Sequence, residues 1–91
     1  MPSKGQYVEM LRARLALWNA ELDELGVRAQ ARADLERSVA ELRRLRDQAA
    51  EQTRAIERAG EPDWELLAST AEKEFEALGD AFGRARARFG E

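Results

Sequence analysis

LDELGVRAQARADLE, residues 22–36, decides the architecture of this chain. If a helix stops at Gly26, three helices can fold into a self-contained bundle; if it runs through, one long rod needs a partner. Stopping requires a new helix to begin within a few residues. Between Val27 and Ala33 no Ser, Thr, Asn, Asp or Pro is available to cap one. An omitted cap costs roughly 1 kcal/mol and leaves initial N–H groups without partners. Running through costs about 1 kcal/mol for Gly relative to Ala. The two penalties nearly cancel, but a break also needs a tight connection for which the stretch holds no turn chemistry. The local reading therefore favours one helix over about residues 4–59, with Gly26 marking a change of phase.

Working outward, the apolar spacing agrees with helix on both sides. Ser3 and Gln6 form a capping-box pattern at the start. Val8, Leu11, Leu15, Trp18, Leu22 and Leu25 then recur at three- and four-residue steps, a heptad seam. A looser seam follows at Leu35, Val39, Leu42, Leu45, Ala49 and Ile56. The one strong stop is AGEPDW, residues 59–64. Gly60 suits a left-handed C′ position, Pro62 cannot continue a helix, and Asp63 is a good N-cap. From there Trp64, Leu67, Ala71, Phe75, Leu78, Phe82, Ala85 and Phe89 make a single stripe. Its polar face is acidic early and basic late, which complements the helix dipole. VRAQARAD, residues 27–34, alternates with period two, but Ala, Arg and Gln are strong helix formers.

Composition points the same way. Over 91 residues, the β-branched side chains are Val8, Val27, Val39, Thr53, Ile56 and Thr70, too few to build a sheet. The expected class is all-α: a single helical domain, 1–91, with a helix at about 4–59, a turn at 60–62 and a helix at about 63–89 folded back as a hairpin. The hairpin core would be Leu35, Val39, Leu42, Ile56, Trp64, Leu67, Phe75, Leu78 and Phe82. At 1.5 Å per residue the long helix spans roughly 80 Å and the short one about 40 Å. Leu11, Leu15, Trp18, Leu22 and Leu25 would then be left bare, each worth on the order of 1.5–3 kcal/mol if covered. These five form the expected self-association seam. An antiparallel homodimer would complete the coiled-coil bundle, since each short helix fills the half that its partner lacks.

A net charge of −3 offers no overall field for nucleic acid. Without Cys or His, the chain lacks a thiolate nucleophile, the commonest general base and a main zinc ligand. No enzymatic activity, metal or cofactor is expected. The start, MPSKGQYVEM, contains no apolar run resembling a signal peptide, so the expected compartment is the cytoplasm.

The stretch YVEMLRARLALWNAELDEL resembles a family of small bacterial coiled-coil proteins labelled stress-response proteins, known chiefly from a cyanobacterial member. The matching pattern falls on Tyr7, Val8, Leu11, Leu15, Trp18, Asn19, Ala20, Glu21 and Leu22. The family's Trp-headed last helix has its counterpart in PDWELLASTAEKEFEALGDAF, residues 62–82. Gly26 departs from the charged residue usual in that region. The resemblance implies a stress-linked role and no catalytic residues.

Other candidate sites have plainer explanations. Trp18 and Trp64 lie in phase with apolar stripes, as core anchors do. Glu72, Glu74 and Glu76, two apart on a helix, point in different directions and read as a solvated face. Arg43, Arg44 and Arg46 are offset by Glu41 and Asp47 within a turn. FGRARARFG, residues 82–90, is the exception: Phe82, Arg84, Arg86, Arg88 and Phe89 are candidate membrane contacts. Against that, residues 61–80 carry seven acids and one lysine, which an anionic bilayer repels. The functional expectation is a non-enzymatic coiled-coil interaction protein, stress-related, that binds itself and a helical protein client. The alternative is a peripheral membrane binder acting through the last helix.

Overall fold

The computed structural model describes residues 2–90 and consists of three α-helices: α1 (Lys4–Arg28), α2 (Ala33–Arg58) and α3 (Asp63–Phe89). They run up, down and up in a bundle of 47 × 19 × 17 Å. Tyr7 meets Trp64 near the N-termini of α1 and α3, so those two helices are parallel, with α2 antiparallel to both. α1 starts as its sequence predicts: Ser3 Oγ accepts from the Gln6 N–H and Gln6 Oε1 accepts from the Ser3 N–H.

The helix does pass through Gly26, but it does not continue to residue 59. It ends at Arg28, and the chain reverses over Ala29–Arg32. Ala31 makes the reversal at φ 68°, the left-handed region that residues with a Cβ avoid. The turn closes through hydrogen bonds from Ala29 N to Leu25 O at 2.9 Å and from Arg32 N to Ala29 O at 3.1 Å. Arg32 occupies the N-cap of α2 and no side chain caps that helix, though Asp34 and Glu36 stand in its first turn. Both local penalties are therefore incurred, at about 1–2 kcal/mol for the left-handed alanine and roughly 1 kcal/mol for the missing cap. What outweighs them is burial. Leu11, Leu15, Leu22 and Leu25 are all buried by the same polypeptide, at on the order of 1.5–3 kcal/mol each.

That finding corrects three expectations. The 80 Å rod and the two-helix hairpin give way to a three-helix bundle. Of the seam assigned to a second protomer, Leu11, Leu15, Leu22 and Leu25 lie in the intramolecular core, with Leu11 0% and Leu22 2% exposed, and Trp18 is half-buried against it. The bare edge that motivated an antiparallel dimer is therefore absent.

The second turn, Ala59–Pro62, falls where the sequence places it, with two differences of detail. Gly60 does not adopt a positive φ, and Pro62, not Asp63, occupies the N-cap of α3. Asp63 is instead the first helical residue, where its charge still favours the helix N-terminus. The carbonyls that end α2 are met from outside, because Lys4 Nζ donates to Glu57 O at 3.2 Å and Ala59 O at 2.8 Å. The residues expected in a hairpin core fall in the core of the three-helix bundle. Leu35, Val39, Leu42, Ile56, Trp64, Phe75, Leu78 and Phe82 are buried, and Leu67 is half-buried against them.

Candidate functional site: the groove between α1 and α3

The three helix seams are not equal. α2 presents small side chains, Ser38, Ala49 and Thr53, to the core and packs closely on both neighbours. Its buried hydroxyl is absorbed locally, Thr53 Oγ1 donating to Ala49 O at 2.9 Å. α1 and α3 instead meet through aromatic pairs, which hold their backbones apart. Trp18 stacks on Phe82 with centroids 4.4 Å apart and planes 14° apart, and Tyr7 lies against Trp64 at 5.8 Å. The result is an open groove of about 680 Å³ along the α1–α3 seam.

Trp18 and Phe75 line its floor. Along the α1 rim stand Met10 and Leu17, seven residues apart and so on one face of the helix. They are 42% and 72% exposed. Sequence reasoning missed both. The leucine and tryptophan seam at i, i+3 and i, i+4 accounts for α1 as an amphipathic helix, and Met10 and Leu17 then read as isolated surface residues. The signal that could have found them is their heptad spacing beside Trp18.

Charged groups close the groove's ends and edges. At one end Arg86 forms a two-pronged ion pair with Glu21, one arm at 2.7 Å, and its guanidinium lies 5.9 Å from the Trp18 ring centre. Arg14 on α1 and Glu72 and Glu76 on α3 line the edges. Tyr7 Oη donates to Ala68 O at 3.3 Å and reaches Glu72 at 3.5 Å. Burial, then the Glu72 charge, pushes the Tyr7 phenol above its ordinary range, so it stays a neutral donor.

The remaining predicted site residues lie elsewhere. Of the candidate membrane contacts, Phe82 is fully buried and Phe89 is nearly so, because both belong to the core stripe of α3. Arg86 is bound to Glu21, Arg88 Nη1 donates to Ser38 Oγ at 2.8 Å, and Arg84 is exposed. The two phenylalanines therefore present no outward apolar face. Among the described residues, no helix is long and apolar enough to cross a membrane. Arg44 and Arg46 pair with Glu41 at 3.9 Å and Asp47 at 2.8 Å, as the charge pattern on α2 suggested, and Arg46 also reaches Asn19 Oδ1 at 2.7 Å. Among the described residues, no three acidic side chains converge to hold a metal ion.

Other carboxylates with displaced ionisation lie apart from this groove. Glu51 and Glu57 are held below the usual range, chiefly by hydrogen bonds from Arg54 and Arg12 respectively. Glu74 is raised by desolvation, and one of its buried oxygens has no hydrogen-bond partner. In comparisons with known proteins, the chain matches no family model, no curated protein and no solved structure.

Proposed function

We propose that this protein is a non-enzymatic helical interaction module that docks another helix in its α1–α3 groove. The observation that carries the reading is the pairing of Met10 and Leu17, two exposed apolar side chains one heptad apart, beside a floor of Trp18 and Phe75. Contiguous apolar surface rimmed by charge is the usual form of a protein interaction site. A groove between two parallel helices suits an amphipathic third. The carboxylates with shifted ionisation, Glu51, Glu57 and Glu74, do not line the groove, which favours binding over catalysis. A stress-related role rests on the resemblance over residues 7–22 and 62–82 alone.

The test is site-specific photo-crosslinking in bacterial cells, with the reactive side chain at position 17 in the groove or at position 66. Leu66 is 74% exposed and on α3, so it serves as an apolar position off the groove. Adducts should concentrate at position 17. Equal or absent labelling at the two positions would remove the docking surface from consideration.

A further inference from the structure

We infer that the occupant of the groove is α1 of a second copy of this chain, in a parallel two-fold dimer whose axis runs along the bundle. This deepens the reading of the groove as a helix-docking surface and rests on it. The assignment comes from charge complementarity across a symmetric arrangement. A two-fold axis parallel to the helices lays each α1 into the partner's α1–α3 groove and sets equal heights opposite one another. Tyr7 is level with Trp64 and Trp18 with Phe82, so Glu72 and Glu76 lie near the height of the Met10–Arg14 turn. Each copy's Arg14 then faces the other's Glu72 and Glu76, and the contact occurs twice. Arg14, Glu72 and Glu76 take part in no ion pair within the described residues of a single chain.

The apolar residues fit the same operator. Met10 and Leu17 are spaced as successive seam positions of a parallel coiled coil, so each meets its own counterpart across the axis. An antiparallel arrangement, by contrast, can bring only one of the two level with itself. The stripe is short, so the dimer is weak and reversible.

Sedimentation equilibrium from about 1 µM to about 1 mM covers the relevant affinity range. The wild-type chain should associate, and Leu17→Glu should weaken association by at least about tenfold. That side chain is 72% exposed, so the thermal melt of the variant should match wild type. Arg14→Glu should weaken the dimer, and combining it with Glu72→Arg and Glu76→Arg should restore it. Because the chain has no cysteine, single Met10→Cys and Leu17→Cys variants report geometry directly, and both should form disulfide-linked dimers on oxidation. Crosslinking at only one of the two positions, or association unmoved by Leu17→Glu, overturns the parallel dimer. A wild-type chain that stays monomeric throughout also overturns it. If photo-crosslinks at position 17 then trap a different protein, the groove remains a docking surface and only its occupant was misassigned. If position 17 labels no better than position 66, both inferences fall.

Discussion

The two turns of the bundle solve the same problem with opposite materials. Ala59–Pro62 contains glycine and proline, the residues that interrupt helices. Gln30-Ala31-Arg32 contains only residues that helices favour, yet it makes the tighter backbone demand, a left-handed alanine. The glycine sits where no positive φ is needed, and the position with a positive φ lacks one. Local chemistry determines one turn. The other is imposed from a distance by the leucines on either side of it. Each is also pinned by the helix it does not connect. Lys4 of α1 caps the end of α2 at the second turn. Near the first, Arg28 lies 5.5 Å from the Phe89 ring centre and reaches the Phe89 carbonyl at 3.5 Å.

The strongest way to break the comparison is to remove what imposes the first turn. Leu25 is 3% exposed, one turn before the reversal, and faces the core that contains Leu35 and Val39. Leu25→Ala should cost about 2–5 kcal/mol in urea unfolding followed by helical circular dichroism. That is a large fraction of the roughly 5–14 kcal/mol expected for a domain of this size. A loss below 1 kcal/mol would mean that the turn persists on local preference and that the long-range account is wrong.

Ala31→Gly tests the same turn in the favourable direction. Relief of a left-handed alanine is worth about 1–2 kcal/mol, offset by the extra freedom of glycine in the unfolded chain, about 0.5–1 kcal/mol. The expected net gain is up to roughly 1.5 kcal/mol, read as a higher urea midpoint. Ala31→Val should move the midpoint down, because a β-branched side chain tolerates that backbone poorly. Gly60→Ala is the mirror experiment at the second turn. Its backbone is outside the left-handed region, and an added Cβ would meet nothing within 4 Å. It should therefore stabilise by about 0.4–1 kcal/mol through the unfolded state. Destabilisation by Gly60→Ala would show that the glycine is needed there after all.

These positions also show what was legible in advance. α3 and its core stripe could be read because Trp64, Phe75, Leu78 and Phe82 repeat in register after an explicit stop. Helix class and the start of α1 could be read for similar reasons. The continuous helix over about 4–59 was wrong: Gly26 itself is helical, but α1 ends two residues beyond it. The reversal at Ala31 was not legible, because its cause is non-local. Weighing a missing cap against a helical glycine compared two terms of about 1 kcal/mol, while burial of Leu11, Leu15, Leu22 and Leu25 within one chain is several times larger. The groove escaped notice for a related reason. It exists because Trp18 and Phe82 wedge α1 from α3, and neither residue's own helix shows that they meet.

The smallest expected effect concerns the ion pair beside the locally determined turn. Arg12 holds Glu57 in a two-pronged contact that ties α1 to the end of α2. Glu57 is held below the usual carboxylate range, first by the Arg12 hydrogen bond; desolvation opposes it, and the charges of Arg12, Arg54 and Arg58 each add a smaller lowering effect. A carboxylate more acidic in the folded state than in the unfolded one stabilises the fold above its unfolded pKa, and that contribution is lost as pH falls through the folded value. Arg12→Gln should therefore lower the urea midpoint slightly at pH 7, and the deficit should shrink by about pH 2, below the ordinary carboxylate range. The pair lies at the surface, so added salt should shrink the difference at neutral pH as well. A deficit of equal size at both pH values would mean that Arg12 contributes through the packing of its aliphatic stem on α2, and that Glu57 has little part in closing the second turn.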